Sequence, residues 1–456
     1  MHLPVVILSA LAVAGEPFVT RSVAGVIKAG HTPKIRGVNL GGWFVLEPWI
    51  TPSVFEIANR SALAGGAMVQ DQWTLCEALG AEQALTLLET HWATFVSRDE
   101  IYRLSVAGIN TVRIPVGYWM FDVEPGEPWV GAERSWQYLL RGLEWAEEFN
   151  LQVVLDLHGA PGSQNGYDNS GKRGAISWQT GGDDKAVPHY SNHVRRTVKV
   201  LGLMAQKVSL LPARLQKTIG WIELLNEPNG RMRKQIHIDV VRQFYQRAYA
   251  EVKRWLPHQQ IILHDAFETF SHIWPKLAKT FAGDVIIDTH QYQVFGEAGL
   301  KLTRSEHIEH ACRLKTRLRN FNKQVSVVVG EWSLATTDCV PWLHGFGNGH
   351  IWDGSMRESA QGWPILATSK AAKEMHRRCS PTLEDVSKFD GEYRAYLRKF
   401  AETQMDAFEQ GRGWFFWNFK TEGHTAPQFD FLLGLREGFI PPHVAQRTHF
   451  CPRSYE

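Results

Sequence analysis

The sequence predicts an α/β fold, a (β/α)8 TIM barrel, as one domain with long loops at the C-terminal strand ends. Three observations carry this. Eight short apolar runs recur along the chain, each closed by a polar or aromatic residue. Amphipathic stretches of helix formers lie between them. The 456 residues show no repeat, no low-complexity segment and no Pro/Ser-rich linker, a length that suits one large barrel.

The runs, in order, are Lys34 to Asn39, Thr111 to Pro115, Val153 to His158, and Ile222 to Glu227. Ile261 to Asp265, Val285 to His290, Val325 to Glu331 and Gly413 to Trp417 complete the set. Each has the length and apolar density of a strand buried on both faces. Ser135 to Phe149 and Val240 to Trp255 are clear helices, with apolar residues three and four apart. Strand and helix in alternation argue for a parallel sheet, and eight units argue for closure. Barrel sites form at the C-terminal strand ends, where Asn39, Arg113, His158, Glu227, His290, Glu331 and Trp417 fall.

Composition narrows the class. The chain is 44% hydrophobic and 21% charged, with a net charge of +2 and no dense Lys/Arg run. Nucleic acid and anionic membranes are therefore not expected partners. The 18 Trp, 23 Phe and 11 Tyr fit either a large core or a cleft whose flat rings stack on sugar faces. The apolar run Leu3 to Ala14 ends in Ala12-Val13-Ala14, a small-residue cleavage pattern. It is too short to span a bilayer. Residues 1–14 are read as a secretory signal and 15–456 as the mature domain. No later apolar run is long enough for a membrane anchor. Five cysteines fit export: Cys312, Cys339, Cys379 and Cys451 are expected to form two disulfides, with Cys76 free. Asn59-Arg60-Ser61 is a glycosylation sequon.

Asn226-Glu227-Pro228 and Gly330-Glu331-Trp332 carry the chemistry. A carboxylate at the end of a buried strand is costly unless paired or used. Two of them on equivalent strand ends point to an acid and a nucleophile facing one substrate, as retaining glycoside hydrolysis requires. Arg113 is expected to pair with Glu331 and keep it ionised, and Tyr292 to donate a hydrogen bond to the same carboxylate. Asn226 is placed for the sugar 2-hydroxyl. His158 and His290 read as orienting groups, since no H-E-x-x-H or C-x-x-C pattern offers a metal site. No metal or cofactor is expected. Gly166 to Lys172 nearly spells a phosphate loop, but Arg173 stands where a Ser or Thr would bind magnesium. No G-x-S-x-G elbow is present.

With these motifs in view, the chain resembles the fungal-type exo-β-1,3-glucanases of glycoside hydrolase family 5. The resemblance rests on Arg36 to Trp49, Asp156 to Gly166, Asn226-Glu227-Pro228, His290 to Phe295 and Gly330 to Ser333. It implies Glu227 as acid/base and Glu331 as nucleophile. Arg113, His158, Asn226, His290, Tyr292 and Trp417 would complete the site, and Glu47 would hydrogen-bond the terminal glucose. Tyr167 and Phe295 would clamp the next sugar, with Tyr167 where the family commonly has Phe. Arg195 to Thr218 does not match the family pattern. Pro341 to Ser380 reads as a long loop after the seventh strand, and such loops decide exo against endo action. The implied protein is a secreted, monomeric enzyme that releases glucose from β-1,3-glucans. Alternatives are a β-1,6-glucanase or plant-glycoside diglycosidase on the same machinery, or a non-catalytic glucan-binding wall protein.

Overall fold

A computed structural model describes residues 33–62, 68–180, 192–231, 235–283, 285–356, 377–380 and 385–455. Lys34–Glu456 forms a compact unit. The signal-like run 3–14 and Trp363 lie outside the described residues.

Eight parallel strands close on themselves in sequence order. They are β1 (Ile35–Asn39), β2 (Thr111–Gly117), β3 (Gln152–Gly159), β4 (Ile219–Glu223), β5 (Gln260–His264), β6 (Val285–His290), β7 (Ser326–Glu331) and β8 (Gly413–Phe416). Closure is the pairing of β8 with β1, from Gly413 opposite Ile35 to Phe416 opposite Val38. Helices pack outside, among them Ala132–Glu148 and Ile238–Trp255, whose buried faces recur at three- and four-residue spacing. Arg195 to Thr218 supplies the crossover before β4, in helices Asn192–Ser209 and Ala213–Thr218. Its basic character has a local cause: Arg196 is buried and paired with Asp122 and Glu127.

β4 is shorter than its apolar run. The ladder ends at Glu223, not at Glu227. Leu224 N–H still donates to Ile262 on β5, but Asn226 N–H turns back to Leu157 on β3. Glu227 then takes a left-handed backbone, φ 44°. The chain abandons pairing in order to aim two successive side chains into the barrel mouth.

The barrel interior is layered. Ile35, Val154, Ile262, Ile286, Val328 and Phe415 form an apolar plug, with Trp221 packed on it. Two residues further along the same strands stand Asp156, Glu223, His264, Asp288 and Gly330. Gly330 is required there, because a Cβ would lie 1.9 Å from Asp288 Oδ2. A polar layer thus sits on the plug and beneath the site. Most large aromatics serve the core instead: Trp43, Trp92, Trp178, Trp274, Trp332 and Trp414 are fully buried.

Cys312 pairs with Cys451 and Cys339 with Cys379, and Cys76 is free and buried. Burial pushes the Cys76 thiol up to about 12, so it is inert. The Asn59 amide is engaged on both sides, donating to Phe55 and Val69 carbonyls and accepting from Val69 N–H. That geometry opposes attachment of a glycan there. No helix among the described residues is long and apolar enough to cross a membrane.

Candidate active site

Arg113 organises the base of the site. It is 1% exposed, and its guanidinium spans the barrel. Nε donates to Glu223 at 2.7 Å, Nη1 to Asn39 and Glu331 at 3.0 Å each, and Nη2 to Asn226 at 2.9 Å. Asp156 lies 3.1 Å from Nη2. Burial opposes its charge, but Asp156, Glu223 and Glu331 outweigh that and hold the guanidinium firmly protonated.

From this hub the contacts run to both glutamates. Glu331 Oε1 accepts from Arg113, and Oε2 accepts from Tyr292 Oη at 2.8 Å. Glu227 Oε1 lies 2.7 Å from His290 Nδ1. The same Nδ1 is 3.4 Å from Glu331 Oε2. Both glutamate carboxyls thus reach a single ring nitrogen. The left-handed backbone at Glu227 costs on the order of 1–3 kcal/mol, which the surrounding bonds must hold in place.

Asn226 is fixed on both ends. Oδ1 accepts from Arg113, and Nδ2 donates to His158 Nε2 at 3.3 Å. His158 Nδ1 meets Asp156 Oδ2 at 2.6 Å. The network therefore assigns the His158 proton to Nδ1. Burial pushes His158 well below its usual range, so this ring is neutral. Trp417 lies flat against it, ring centres 5.5 Å apart and 10° from parallel. Gly41 makes room for Trp417: a Cβ would come within 2.8 Å of the indole.

The two glutamates and His290 share protons. Burial pushes the Glu331 carboxyl up to about 8, with His290 and Arg113 pulling down and Glu227 pushing up. Burial also works to raise Glu227, but the hydrogen bond and charge of His290 bring it below the usual range. Burial opposes charge on His290, yet Glu331, Asp288 and Glu227 hold it well above. Burial and the neighbouring charges thus favour a proton on Glu331. The bonding pattern favours ionised Glu331, because Arg113 and Tyr292 both donate to it.

A cavity of about 240 Å³ opens above these groups. Glu47, Tyr167, His290, Tyr292, Phe295 and Trp417 line it along with both glutamates. Arg113, His158 and Asn226 are not among its lining residues; Arg113 reaches it through Glu331, and Asn226 joins Arg113 to His158. Glu47 accepts from Trp49 Nε1 at 2.9 Å. Burial, with the charge of Asp168 added, holds Glu47 well above the usual range. Burial, with the charge of Glu227 added, raises the Tyr167 hydroxyl above its usual range, so it stays protonated.

Sequence reasoning missed several lining residues. Asp168, Arg173, Arg231 and Phe267 come from loops after β3, β4 and β5, and Phe429 from the turn after β8. Asp168 had one available signal, its place beside Tyr167. The others sit in loops where no periodicity marks direction.

Among the described residues two clusters have metal-like spacing: Glu227, His264 and His290, and His350, Asp353 and Cys379. In the second the sulfur is committed to Cys339. In the first, His290 is committed to Glu227 and Asp288, and His264 Nδ1 accepts from Ala266 N–H.

Known proteins fit this geometry. The Cellulase (glycosyl hydrolase family 5) family matches residues 76–363. Glucan 1,3-beta-glucosidase of Candida oleophila is 38% identical over 424 residues, covering 91% of this chain and 90% of that protein. The enzyme of the same name from Blumeria graminis is 36% identical, covering 91% and 89%. Rutinosidase from Aspergillus niger shares the fold, with a TM-score of 0.64, 19% identity, and 90% and 98% of the two chains covered. With the eight-stranded barrel and the paired glutamates at its mouth, the chain belongs to glycosyl hydrolase family 5 and is a glycoside hydrolase.

Proposed function

We propose that the protein is a secreted retaining exo-glucosidase that removes glucose from the non-reducing ends of β-1,3-glucans. The observation that carries the reading is the pair of carboxylates on one His290 nitrogen, at 2.7 and 3.4 Å. The fungal relatives named glucan 1,3-beta-glucosidase support the substrate class. The apolar run at residues 3–14 and the two disulfides support export.

In the first step the Glu331 carboxylate attacks the anomeric carbon while Glu227 gives its proton to the leaving glycosidic oxygen. The C–O bond to the leaving sugar breaks, and an ester to Glu331 forms. In the second step Glu227, now a carboxylate, takes a proton from water as the water oxygen displaces Glu331. Arg113 and Tyr292 stabilise the departing carboxylate. Asn226, held by Arg113 and His158, presents its remaining N–H to the 2-hydroxyl. Glu47 and Trp417 hold the terminal glucose. Tyr167 and Phe295 flank the sugar that leaves.

The test is the product time course on laminarin, with Glu331→Gln protein as the blank. Glucose alone from the earliest point supports exo action. A ladder of oligosaccharides overturns exo action and leaves an endo enzyme. No release from laminarin by folded protein, with release from β-1,6-glucan or a plant diglycoside, overturns the linkage.

A further inference from the structure

His290 has two nitrogens and two tasks. Nδ1 faces Glu227, and Nε2 faces Asp288 Oδ2 at 3.3 Å. Asp288 is 1% exposed and is fixed in turn by Gly330 N–H, which donates to Oδ1 at 2.6 Å. The chain Glu227–His290–Asp288 thus runs from the reacting oxygen into the polar layer of the barrel. We propose that Asp288 is a positioning residue for the acid/base step: its carboxylate holds a proton on His290 Nε2 and supplies the negative charge that keeps the transferable proton within the Glu227–His290 couple.

The surroundings leave Asp288 this role. On β6 it is the charged group two residues behind His290, on the same inward row. From β4 the ring meets Glu227, with Glu223 deeper in the interior. From β7 it meets Glu331, whose outer oxygen is held by Tyr292. From β5 His264 packs edge-on, ring centres 4.5 Å apart. Burial holds His264 neutral, so it adds no charge. From β2 comes the charge of Arg113, and from β3 come Asp156 and the neutral His158. Arg113 is already matched by Asp156, Glu223 and Glu331. Asp288 is the acid that bonds to the far side of the His290 ring. It stays ionised: burial opposes this, but His290 and Arg113 hold its carboxyl far below the usual range.

The sign follows from charge alone. Taking a buried negative charge away from a cluster weakens its grip on every proton in it, whichever group holds that proton. Asp288→Asn is nearly isosteric and keeps an acceptor for Gly330 N–H. Both limbs of the kcat/KM profile should therefore move to lower pH, by about 1–3 units for a charge this close. A residue that only shaped the pocket would lower activity and leave the limbs in place.

The inference rests on Glu227 being the acid/base, and the experiment separates the two. kcat/KM against pH is measured for wild type and Asp288→Asn on laminaribiose and on 2,4-dinitrophenyl β-glucoside, whose leaving group needs no proton. Wild type should show a basic limb on laminaribiose only; the same limb on both substrates overturns the Glu227 reading. Asp288→Asn should move the laminaribiose limb down; an unmoved or raised limb overturns the role of Asp288. If the variant does not fold, nitrogen NMR of the wild-type histidines decides. Nε2 of His290 should carry a proton through the active pH range, and a bare Nε2 there overturns the proposal.

Discussion

Tyr292→Phe isolates one hydrogen bond to Glu331, the proposed nucleophile. Tyr292 Oη donates to Glu331 Oε2 at 2.8 Å, with the carboxyl buried and its other oxygen held by Arg113. A hydrogen bond to a charged group contributes roughly 1.5–3 kcal/mol. Its loss destabilises ionised Glu331 without touching the protonated form, and one pKa unit corresponds to about 1.4 kcal/mol. The pKa of the Glu331 carboxyl should therefore rise by about one to two units. In the proposed mechanism Glu331 is also the group that leaves the anomeric carbon in the second step, with this phenol bonded to its carboxylate. The same energy therefore predicts a loss of roughly 10- to 150-fold in turnover. The assay is kcat/KM against pH on laminaribiose, with folding checked by circular dichroism. The acid limb should move up, while the fold and the basic limb stay. An acid limb that stays or moves down would refute the argument, since it would mean that Tyr292 does not favour the ionised nucleophile.

Glu227→Gln should abolish glucan hydrolysis, yet leave the first step on 2,4-dinitrophenyl β-glucoside intact; azide should then trap a β-glucosyl azide, and an α-product would rule out retention. Arg173 joins two pocket loops, its Nη2 donating to His344 O at 2.9 Å and its charge facing Asp168. Arg173→Ala should loosen that wall and add short oligosaccharides to the glucose released from laminarin, read by chromatography. Removing the Cys339–Cys379 bond, which closes a 40-residue separation, by a double serine substitution should lower stability by about 2–4 kcal/mol in urea titration. Glu402, buried, accepts from Arg398, from Thr448 and His449 N–H and from the His449 ring, and is lowered from 4.5 to about 2. A depressed folded value contributes stability above the unfolded one and loses it as pH falls from about 4.5 towards about 2. Glu402→Gln should be less stable than wild type at pH 6 and show a shallower decline below pH 4.5.

The barrel was legible because buried parallel strands leave dense apolar runs, and seven of the eight ended within two residues of expectation. β4 misled for a physical reason. Leu224 and Leu225 are as buried as strand residues, so hydropathy continues past Glu223 although the hydrogen-bond ladder does not. The floor of the site was legible for the same reason as the strands: Arg113, His158, His290 and Glu331 lie in ladders whose alternation fixes which way they point. Asp168, Arg173, Arg231 and Phe267 were not, because a loop residue's direction depends on turns such as the left-handed Ala266 and Phe267. Asp156, Glu223 and Asp288 stood in plain view inside apolar runs. Their meaning needed the closed barrel, which alone brings Asp156 and Glu223 to Arg113 and Asp288 to His290.

That polar layer has a consequence for stability and function together. A buried ion pair is often no better for stability than well-packed apolar residues, whereas breaking one costs several kcal/mol. Asp156, Glu223 and Asp288 would therefore be poor choices for a plug whose only task was to fill the barrel. Asp156 Oδ1 and Glu223 Oε1 even lack a hydrogen-bond partner. Burial pushes Asp156 up to about 7 and Glu223 well above the usual range, so these acids give up protons reluctantly. What the layer does supply is fixed geometry: Arg113 reaches Glu331 and Asn226 only because Glu223 and Asp156 hold its other edges. Substituting Glu223 by Gln keeps the volume and removes one anchor. The expected result is a fall in kcat larger than any fall in melting temperature would suggest, because the misplaced guanidinium holds both Glu331, the proposed nucleophile, and Asn226. A variant with full activity and lowered stability would show that the layer is structural only.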